Sequence, residues 1–501
     1  GLSTLLTLLF GLPGAFLLAR YQFPGKALLR AVTGISFVLP TLVVAAAFNA
    51  ILGPRGWANL GLMALLGLEQ PPLHFTNTLG AILTAHVFYN TTIVLRIVGD
   101  FWSHLDPRLD YAAQMLGAGR LARLWHVTLP LLAPAVAAAA LLVFIFDFTS
   151  FGVVLVLGGP RFSTLEVEIY QQTISLFNLP LAGALSILQL GSTLGLTVAY
   201  TALNRRLTRP LQLRPQALTL RRLSTWRGRL LAGLYIGLLL GLLTLPLLAL
   251  VSRSLVRIEP GAAAGQYGFQ PTLDFYRELW INRRGALFYV PPVKAIAISF
   301  GYALATVGLA LSLGLPAAWA LARDEHSPVN RLLDPLLMLP LGTSAVTLGL
   351  GFVVSLDTPP LDLRASPLLV PLAHTLVAFP FVVRSLTPAL RAIRPRLRQA
   401  AAMMGATPWQ VFREVDLPMI GRALLVAATF AFTISLGEFG ATALIARPEY
   451  PTIPVMIYRF ISQPGGMNYG QALALSTLLA LITTGAILAI ERFRSADIGE
   501  F

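Results

Sequence analysis

The chain has no cysteine among its 501 residues. Disulfides, thiolate metal sites and cysteine nucleophiles are thereby excluded together. Charge is scarce too: Asp, Glu, Lys and Arg make up 12% of the residues, against roughly 25% in soluble globular proteins. The six histidines are scattered, whereas a membrane enzyme would want His, Asp or Glu clustered near one face. No G-x-x-x-x-G-K-[ST] segment occurs, so the chain has no P-loop and any ATP must be hydrolysed by another polypeptide. Nothing reads as a cleaved signal peptide, and Gly1 already lies inside an apolar run with no initiator methionine.

Apolar residues fill the place of charge. They make up 56% of the chain, and the mean hydropathy is +0.72. They recur in runs of about 20 residues, the length that crosses a hydrocarbon core of roughly 30 Å. Eleven spans are expected, near 1–19, 28–52, 78–99, 130–158, 180–203, 230–251, 294–322, 331–355, 367–387, 419–446 and 469–490. The expected fold is therefore all-α and polytopic. The net charge of +15 does not indicate nucleic acid, because Lys and Arg collect on loops that stay in the cytoplasm. Arg20, Lys26 and Arg30 follow the first span, Arg108, Arg120 and Arg123 the third, and Arg205 to Arg229 the fifth. Arg391 to Arg398 follow the ninth, and Arg492 and Arg494 the last. The loops near 53–77, 159–179, 253–293, 356–366 and 447–468 then face outside. The 253–293 loop carries Arg253, Arg257, Arg277, Arg283 and Arg284, and long loops translocate despite such charge.

The sequence repeats itself. His86 to Tyr170 aligns without a gap on His374 to Tyr458, with about 25 of about 85 positions identical, a level suited to an old duplication. Phe151-Gly152 matches Phe439-Gly440, and Ile169-Tyr170 matches Ile457-Tyr458. Upstream, Gly11-Leu12-Pro13 matches Gly314-Leu315-Pro316. Both copies enter and leave on one side, so the pseudo-two-fold axis runs along the membrane normal. The reading divides the chain into a first half at 1–203, a basic cytoplasmic linker at 204–229 and a second half at 230–501. The first half lacks a counterpart of 230–251, so one further N-terminal helix, twelve in all, is expected of the intact protein.

Two cytoplasmic loops, 105–130 and 393–418, carry the most specific pattern. Tyr111-Ala112-Ala113, Gly117, Val127, Leu129 and Pro130 stand at the spacing of Gln399-Ala400-Ala401, Gly405, Val415, Leu417 and Pro418. Small residues let a helix face approach another surface closely, and the glycines permit a turn. Trp409 and Phe412 then fall at i, i+3 on one helical face, with Leu121 and Leu124 in those places in the first copy. Such a face suits a partner's groove.

The pattern resembles the EAA loop of binding-protein-dependent ABC importer permeases: Glu-Ala-Ala, three residues, Gly, nine residues, Ile-x-Leu-Pro. It departs from that pattern where Tyr111 and Gln399 replace the acid. The whole chain resembles the fused, two-half permeases of the ferric iron and thiamine importer group. Phe148 to Gly152 and Thr164 to Tyr170 are thiamine-like, whereas Leu436 to Thr442 is closer to iron, molybdate and sulfate permeases. The resemblance implies a bacterial plasma (inner) membrane location. It also implies docking of a cytoplasmic ABC ATPase dimer through Ala112, Ala113, Gly117, Leu121, Leu124, Leu129, Pro130, Ala400, Ala401, Gly405, Trp409, Phe412, Leu417 and Pro418. An extracytoplasmic substrate-binding protein is the second partner, lipid surrounds the chain, and no nucleic acid is involved. ATP-Mg sits on the ATPase, and the chain itself holds no cofactor or metal. The alternatives are an importer for another small solute such as an oxyanion, or a secondary transporter, which also repeats in parallel six-helix halves but gives no reason for the paired loops.

Within the spans that follow the loops, Asp147 aligns with Ser435, and Ser150 with Glu438. Each half thus holds an acid and a serine three residues apart, in exchanged order. An ionisable group inside a membrane helix is a functional candidate. The expectation is that Asp147, Ser150, Ser435 and Glu438 face one another across the pathway near its outer gate, where two carboxylates favour a cation. The equivalent histidines, His86 and His374, read as packed helix contacts. Glu166 and Glu168 are expected to face solvent or the binding protein.

Overall fold

A computed structural model describes residues 1–207, 220–222, 225–260, 267–281, 290–323, 327–356, 363–364 and 366–495. Parts of the predicted linker, with Arg209, Pro210, Arg214 and Pro215, lie outside the described residues, as do Arg283, Arg284 and most of 356–366. The described residues are mainly helical. The first half runs α1 (Leu2–Arg20), α2 (Lys26–Val38), α3 (Thr41–Leu52), α4 (Trp57–Leu66), α5 (Leu79–His104), α6 (Pro107–Met115), α7 (Arg120–Arg123), α8 (Leu129–Phe148), α9 (Gly152–Leu157), α10 (Leu165–Tyr170) and α11 (Leu179–Leu207). The second runs α12 (Trp226–Ser254), α13 (Asp274–Arg277), α14 (Pro292–Arg323), α15 (Pro328–Gly342), α16 (Ala345–Ser355), α17 (Leu369–Ala392), α18 (Pro395–Met403), α19 (Pro408–Val411), α20 (Leu417–Met419), α21 (Gly421–Gly437), α22 (Gly440–Ile445), α23 (Ile453–Ile461) and α24 (Gly466–Ser495).

Among the described residues, eight helices are long and apolar enough to cross a membrane, or ten if two bent pairs each count as one span. Four expected spans are not single rods, the 130–158 span because Thr149, Ser150 and Phe151 separate α8 from α9. The 28–52 span breaks between α2 and α3, and the chain turns by 110° there. Leu39 is extended and Pro40 precedes the first turn of α3, as expected because proline lacks an N–H and pushes its predecessor out of the helical region. The 331–355 span divides into α15 and α16, where Ser344 caps the second piece by accepting from Val346 and Thr347. The 419–446 span divides into α21 and α22, and the α19–α20 segment meets α21 at 73°.

The duplication is visible as packing. In the first half α1 lies along α5, which packs on α8; in the second, α14 lies along α17, which packs on α21. The Gly-Leu-Pro words fit these contacts: a Cβ on Gly11 would come within 2.8 Å of Val94, and one on Gly314 within 2.6 Å of Val382. Val94 and Val382 are themselves repeat partners.

The halves interlock. Helix α12 belongs to the second half but crosses onto α3 of the first. Tyr235 donates to the Phe10 carbonyl at 2.6 Å, and Trp57 Nε1 donates to Ser252 Oγ at 2.8 Å. The exchange is symmetric elsewhere too: α10 packs on α16, and α23 packs on α3. One buried apolar cluster accordingly runs through both halves, and a second fills the space among α14, α17 and α21. After α12, Val256–Pro260 pairs with Tyr267–Pro271 as two antiparallel strands.

Candidate coupling loops and translocation pathway

Each predicted loop folds as a short helix, a left-handed glycine, and a helical segment that opens into a π-turn before the next span. In the first copy α6 ends at Met115, Gly117 has φ +85°, and Leu124–Thr128 forms the π-turn leading into α8. In the second, α18 ends at Met403, Gly405 has φ +87°, and Phe412–Asp416 forms the π-turn. Only glycine enters that backbone region freely. Asp106 caps α6 through the Arg108 N–H, while Thr407 and Gln410 cap α19 reciprocally. An ion pair ties each loop to itself at different positions: Arg123 to Asp110 at 3.2 Å, and Arg398 to Asp416 at 2.7 Å.

The exposed apolar groups gather at the tips. Met115 and Leu116 are each 88% exposed, and their counterparts Met403 and Met404 are 89% and 84% exposed. Sequence reasoning missed these four, although Met115 and Met403 are an identical pair in the repeat. Trp409 is 68% and Leu121 69% exposed, and Leu124 and Trp125 are also open. Ala112, Ala400, Gly117, Gly405, Pro130 and Pro418 are exposed; Ala113, Leu129 and Leu417 are half-buried, and Ala401 is buried. Phe412 departs from the expected open face. It is half-buried, stacked on Trp409 at 5.4 Å and edge-on to Trp319 at 6.5 Å, so Trp409 alone of that pair faces outward.

About 26 Å up from Pro130, at 1.5 Å per residue, lies Asp147. The structure does not bring Asp147, Ser150, Ser435 and Glu438 together. Each half keeps its own buried cluster, and a histidine is its centre. His86 Nδ1 lies 2.9 Å from Ser3 Oγ and 3.2 Å from Asp147 Oδ1, and its Nε2 lies 2.9 Å from Ser150 Oγ. Asp147 also accepts from Thr4 at 3.1 Å and from Asn90 at 2.8 Å. His374 Nδ1 lies 2.7 Å from Ser435 Oγ, and its Nε2 lies 2.7 Å from Thr442 Oγ1 and 3.2 Å from Glu438 Oε2. Glu438 further accepts from the N–H groups of Ala441 and Thr442 at the start of α22, a place where helix N–H groups favour an anion. The expected cross-pathway carboxylate pair is thus corrected: burial in an apolar bundle makes each acid take partners within its own half. The exchange of acid and serine corresponds to the two ring nitrogens. The carboxylate sits on the Nδ1 side in the first half and on the Nε2 side in the second.

Glu166 is corrected as well. It is 2% exposed, accepts from Gln189 at 3.0 Å and meets the Ser344 side chain of the second half. Glu168 is half-buried and accepts from Gln172 at 2.7 Å.

Four aromatic rings meet where the halves do. Phe151 stacks on its repeat partner Phe439 with centroids 5.3 Å apart and planes 20° apart. Tyr170 meets its partner Tyr458 edge-on at 6.4 Å. Within each half the pair also touches, Phe151 with Tyr170 at 5.3 Å and Phe439 with Tyr458 at 5.4 Å. Two self-paired equivalent positions place this quartet on the pseudo-two-fold axis, beyond the outer ends of α8 and α21.

A parallel duplication of membrane-span helices, with two matching loops and aromatic contacts between equivalent positions, is the frame on which likeness to known proteins bears. The sequence profile of the family described as "binding-protein-dependent transport system inner membrane component" matches residues 11–209 and 311–494. The chain belongs to that family and is an inner-membrane ABC transporter permease. It is 28% identical over 502 aligned residues to the "Thiamine transport system permease protein ThiP" of Escherichia coli (strain K12), covering 96% of this chain and 86% of that protein. It is 29% identical to the protein of the same name from Brucella abortus (strain 2308), covering 98% and 85%. A "Probable ABC transporter permease protein y4fN" of Sinorhizobium fredii (strain NBRC 101917 / NGR234) is 27% identical over 98% of this chain and 85% of its own length.

Proposed function

We propose that this chain forms the membrane pathway of a thiamine importer, driven by two ATPase subunits that dock on the 105–130 and 393–418 loops and fed by an extracytoplasmic binding protein. The observation that carries the coupling role is the paired apolar tip. Met115-Leu116 and Met403-Met404 are the most exposed apolar residues of two loops of matching spacing, and an exposed apolar patch of this kind marks a docking surface. Methionine is pliable and fits a partner's groove.

The relatives named for thiamine transport support the substrate. None of those quoted above is named for iron, and the ferric iron alternative is set aside. The aromatic quartet agrees with thiamine chemistry. A permanently cationic thiazolium and a flat aminopyrimidine gain from ring faces through cation–π and stacking contacts. In this reading the quartet is the closed outer gate. Closure of the ATPase dimer draws the two loops together and parts the halves at the far end, a rigid-body transition of the kind that moves packed domains.

The test is uptake into proteoliposomes holding the permease with its ATPase and binding protein. ATP-dependent accumulation of labelled thiamine is expected, abolished when Met403 and Met404 are both changed to Ser. Uptake of a different solute would overturn the substrate and keep the importer. ATP-independent uptake would overturn the coupling.

A further inference from the structure

A second concavity lies away from the quartet, on the outer face, and shares no lining residue with it. It encloses about 760 Å³ and is walled by both halves, with Asn49, Pro54 and Arg55 from the first and the α12 end, the first of the paired strands and α24 from the second. Its charged lining is Arg55, Arg253, Arg257 and Glu259. Arg257 and Glu259 satisfy each other at 3.0 Å. Arg55 and Arg253 have no acidic partner among the described residues, so the cavity carries two uncompensated positive charges.

Arg253 is the unusual one. It is 4% exposed, and arginine is almost never fully buried without a counter-charge. Its guanidinium is held 5.6 Å from the Trp57 ring of the first half and 5.9 Å from the Tyr469 ring of the second. One Nη1 donor reaches the Val256 carbonyl at 3.1 Å. Its Nε has no hydrogen-bond partner among the described residues. A buried N–H left unpaired is costly, and such a group in a cavity wall is ready for an acceptor that arrives later.

We propose that this cavity is the docking socket for a carboxylate side chain on the binding protein, an inference that rests on the importer reading. The sign of the charge excludes the substrate, because a cationic solute is repelled by two free arginines. A planar guanidinium fixed between two rings matches a carboxylate in fork geometry. Because both halves build the wall, an acid seated there bridges them, as a lid over the central pathway must. Exposed Arg55 at the rim adds attraction at the encounter stage.

The test uses the complete complex of permease and ATPase in nanodiscs, with its binding protein added. Binding-protein-stimulated ATP hydrolysis is titrated against binding-protein concentration. Arg55→Glu and Arg253→Gln are each expected to raise the half-maximal concentration about tenfold or more, an effect that weakens at high salt for Arg55. Arg55 is exposed, so its replacement keeps the test alive if Arg253→Gln fails to fold. Because the chain has no cysteine, Arg55→Cys supplies a single thiol, whose labelling the binding protein is expected to slow. Half-maximal concentrations within about twofold of the unaltered complex for Arg55→Glu, or labelling unchanged by the binding protein, overturn the proposal. Protection by inorganic phosphate alone, equal to that by the binding protein, overturns it in favour of a free anion. No stimulation of the unaltered complex overturns the importer reading and the socket together.

Discussion

His86 and His374 each bond through both ring nitrogens, and in each half a carboxylate takes one side of the ring. A neutral imidazole that donates to the acid carries its proton on Nδ1 in His86 and on Nε2 in His374. The two halves therefore require opposite tautomers of the same residue. These hubs tie the outer end of the long helix, α8 or α21, to α5 or α17 just below the quartet. Replacing His374 by Ala leaves Glu438, which is 7% exposed, without its ring donor, a loss on the order of 1.5–3 kcal/mol for a hydrogen bond to a charged group. Ser150→Ala removes one neutral hydrogen bond, worth about 1 kcal/mol. Thermal unfolding of the purified permease in detergent should show a large drop for His374→Ala and a small one for Ser150→Ala. Equal drops would mean that the ring only fills space. The sequence alignment exposed the exchange of acid and serine, and it paired the histidines. It could not connect the two facts, because the imidazole reaches its partners from another helix, about 60 residues away. Reading side chains along one helix therefore placed the acids in the pathway, when burial turns them towards the bundle.

At the scale of elements, the legible features were those set by backbone rules. The glycines of the two loops stood out because a left-handed turn needs them, and both have positive φ. Gly405→Ala forces a Cβ into that region at about 1–2 kcal/mol, against a loop tip with little packing to hold it. The turn should relax and tilt the Met403-Met404 tip. Hydrolysis coupled to uptake is expected to fall several-fold, while the amount of permease in the membrane stays near normal; uptake per ATP measured in proteoliposomes checks this. Helix breaks were less legible. Pro13, Pro134, Pro246, Pro316, Pro380 and Pro388 sit inside continuous helices, whereas Pro40 marks a 110° turn. A proline says that one backbone bond is missing, and the neighbouring helices decide whether the chain bends there. The exposed methionines were missed for a related reason: an apolar residue at the end of a short helix looks like core until its surroundings are known.

At the scale of the whole molecule, the duplication does the mechanical work. Phe151 with Phe439 and Tyr170 with Tyr458 are equivalent positions in contact with each other, so any motion that separates the halves along the axis must part both pairs at once. The repeat alignment had already matched these residues, but a repeat says which positions are equivalent and not which of them touch. The chain offers a direct way to test the gate, since it contributes no cysteine of its own. With Phe151→Cys and Phe439→Cys together, a short reducible thiol cross-linker should join the halves where the rings now lie 5.3 Å apart. Thiamine uptake should then stop and return on reduction, while each single change remains insensitive to the linker. Cross-linking should be fast in the absence of nucleotide and slow when vanadate holds the ATPases closed, because the outward state carries the two positions apart. A linker that forms equally in both states, or that forms without stopping uptake, would show that the quartet is a fixed seam and that the solute passes elsewhere. The rings would then serve as part of the core that α3, α10, α16 and α23 share across the axis, and the opening would have to be sought at another level of the bundle.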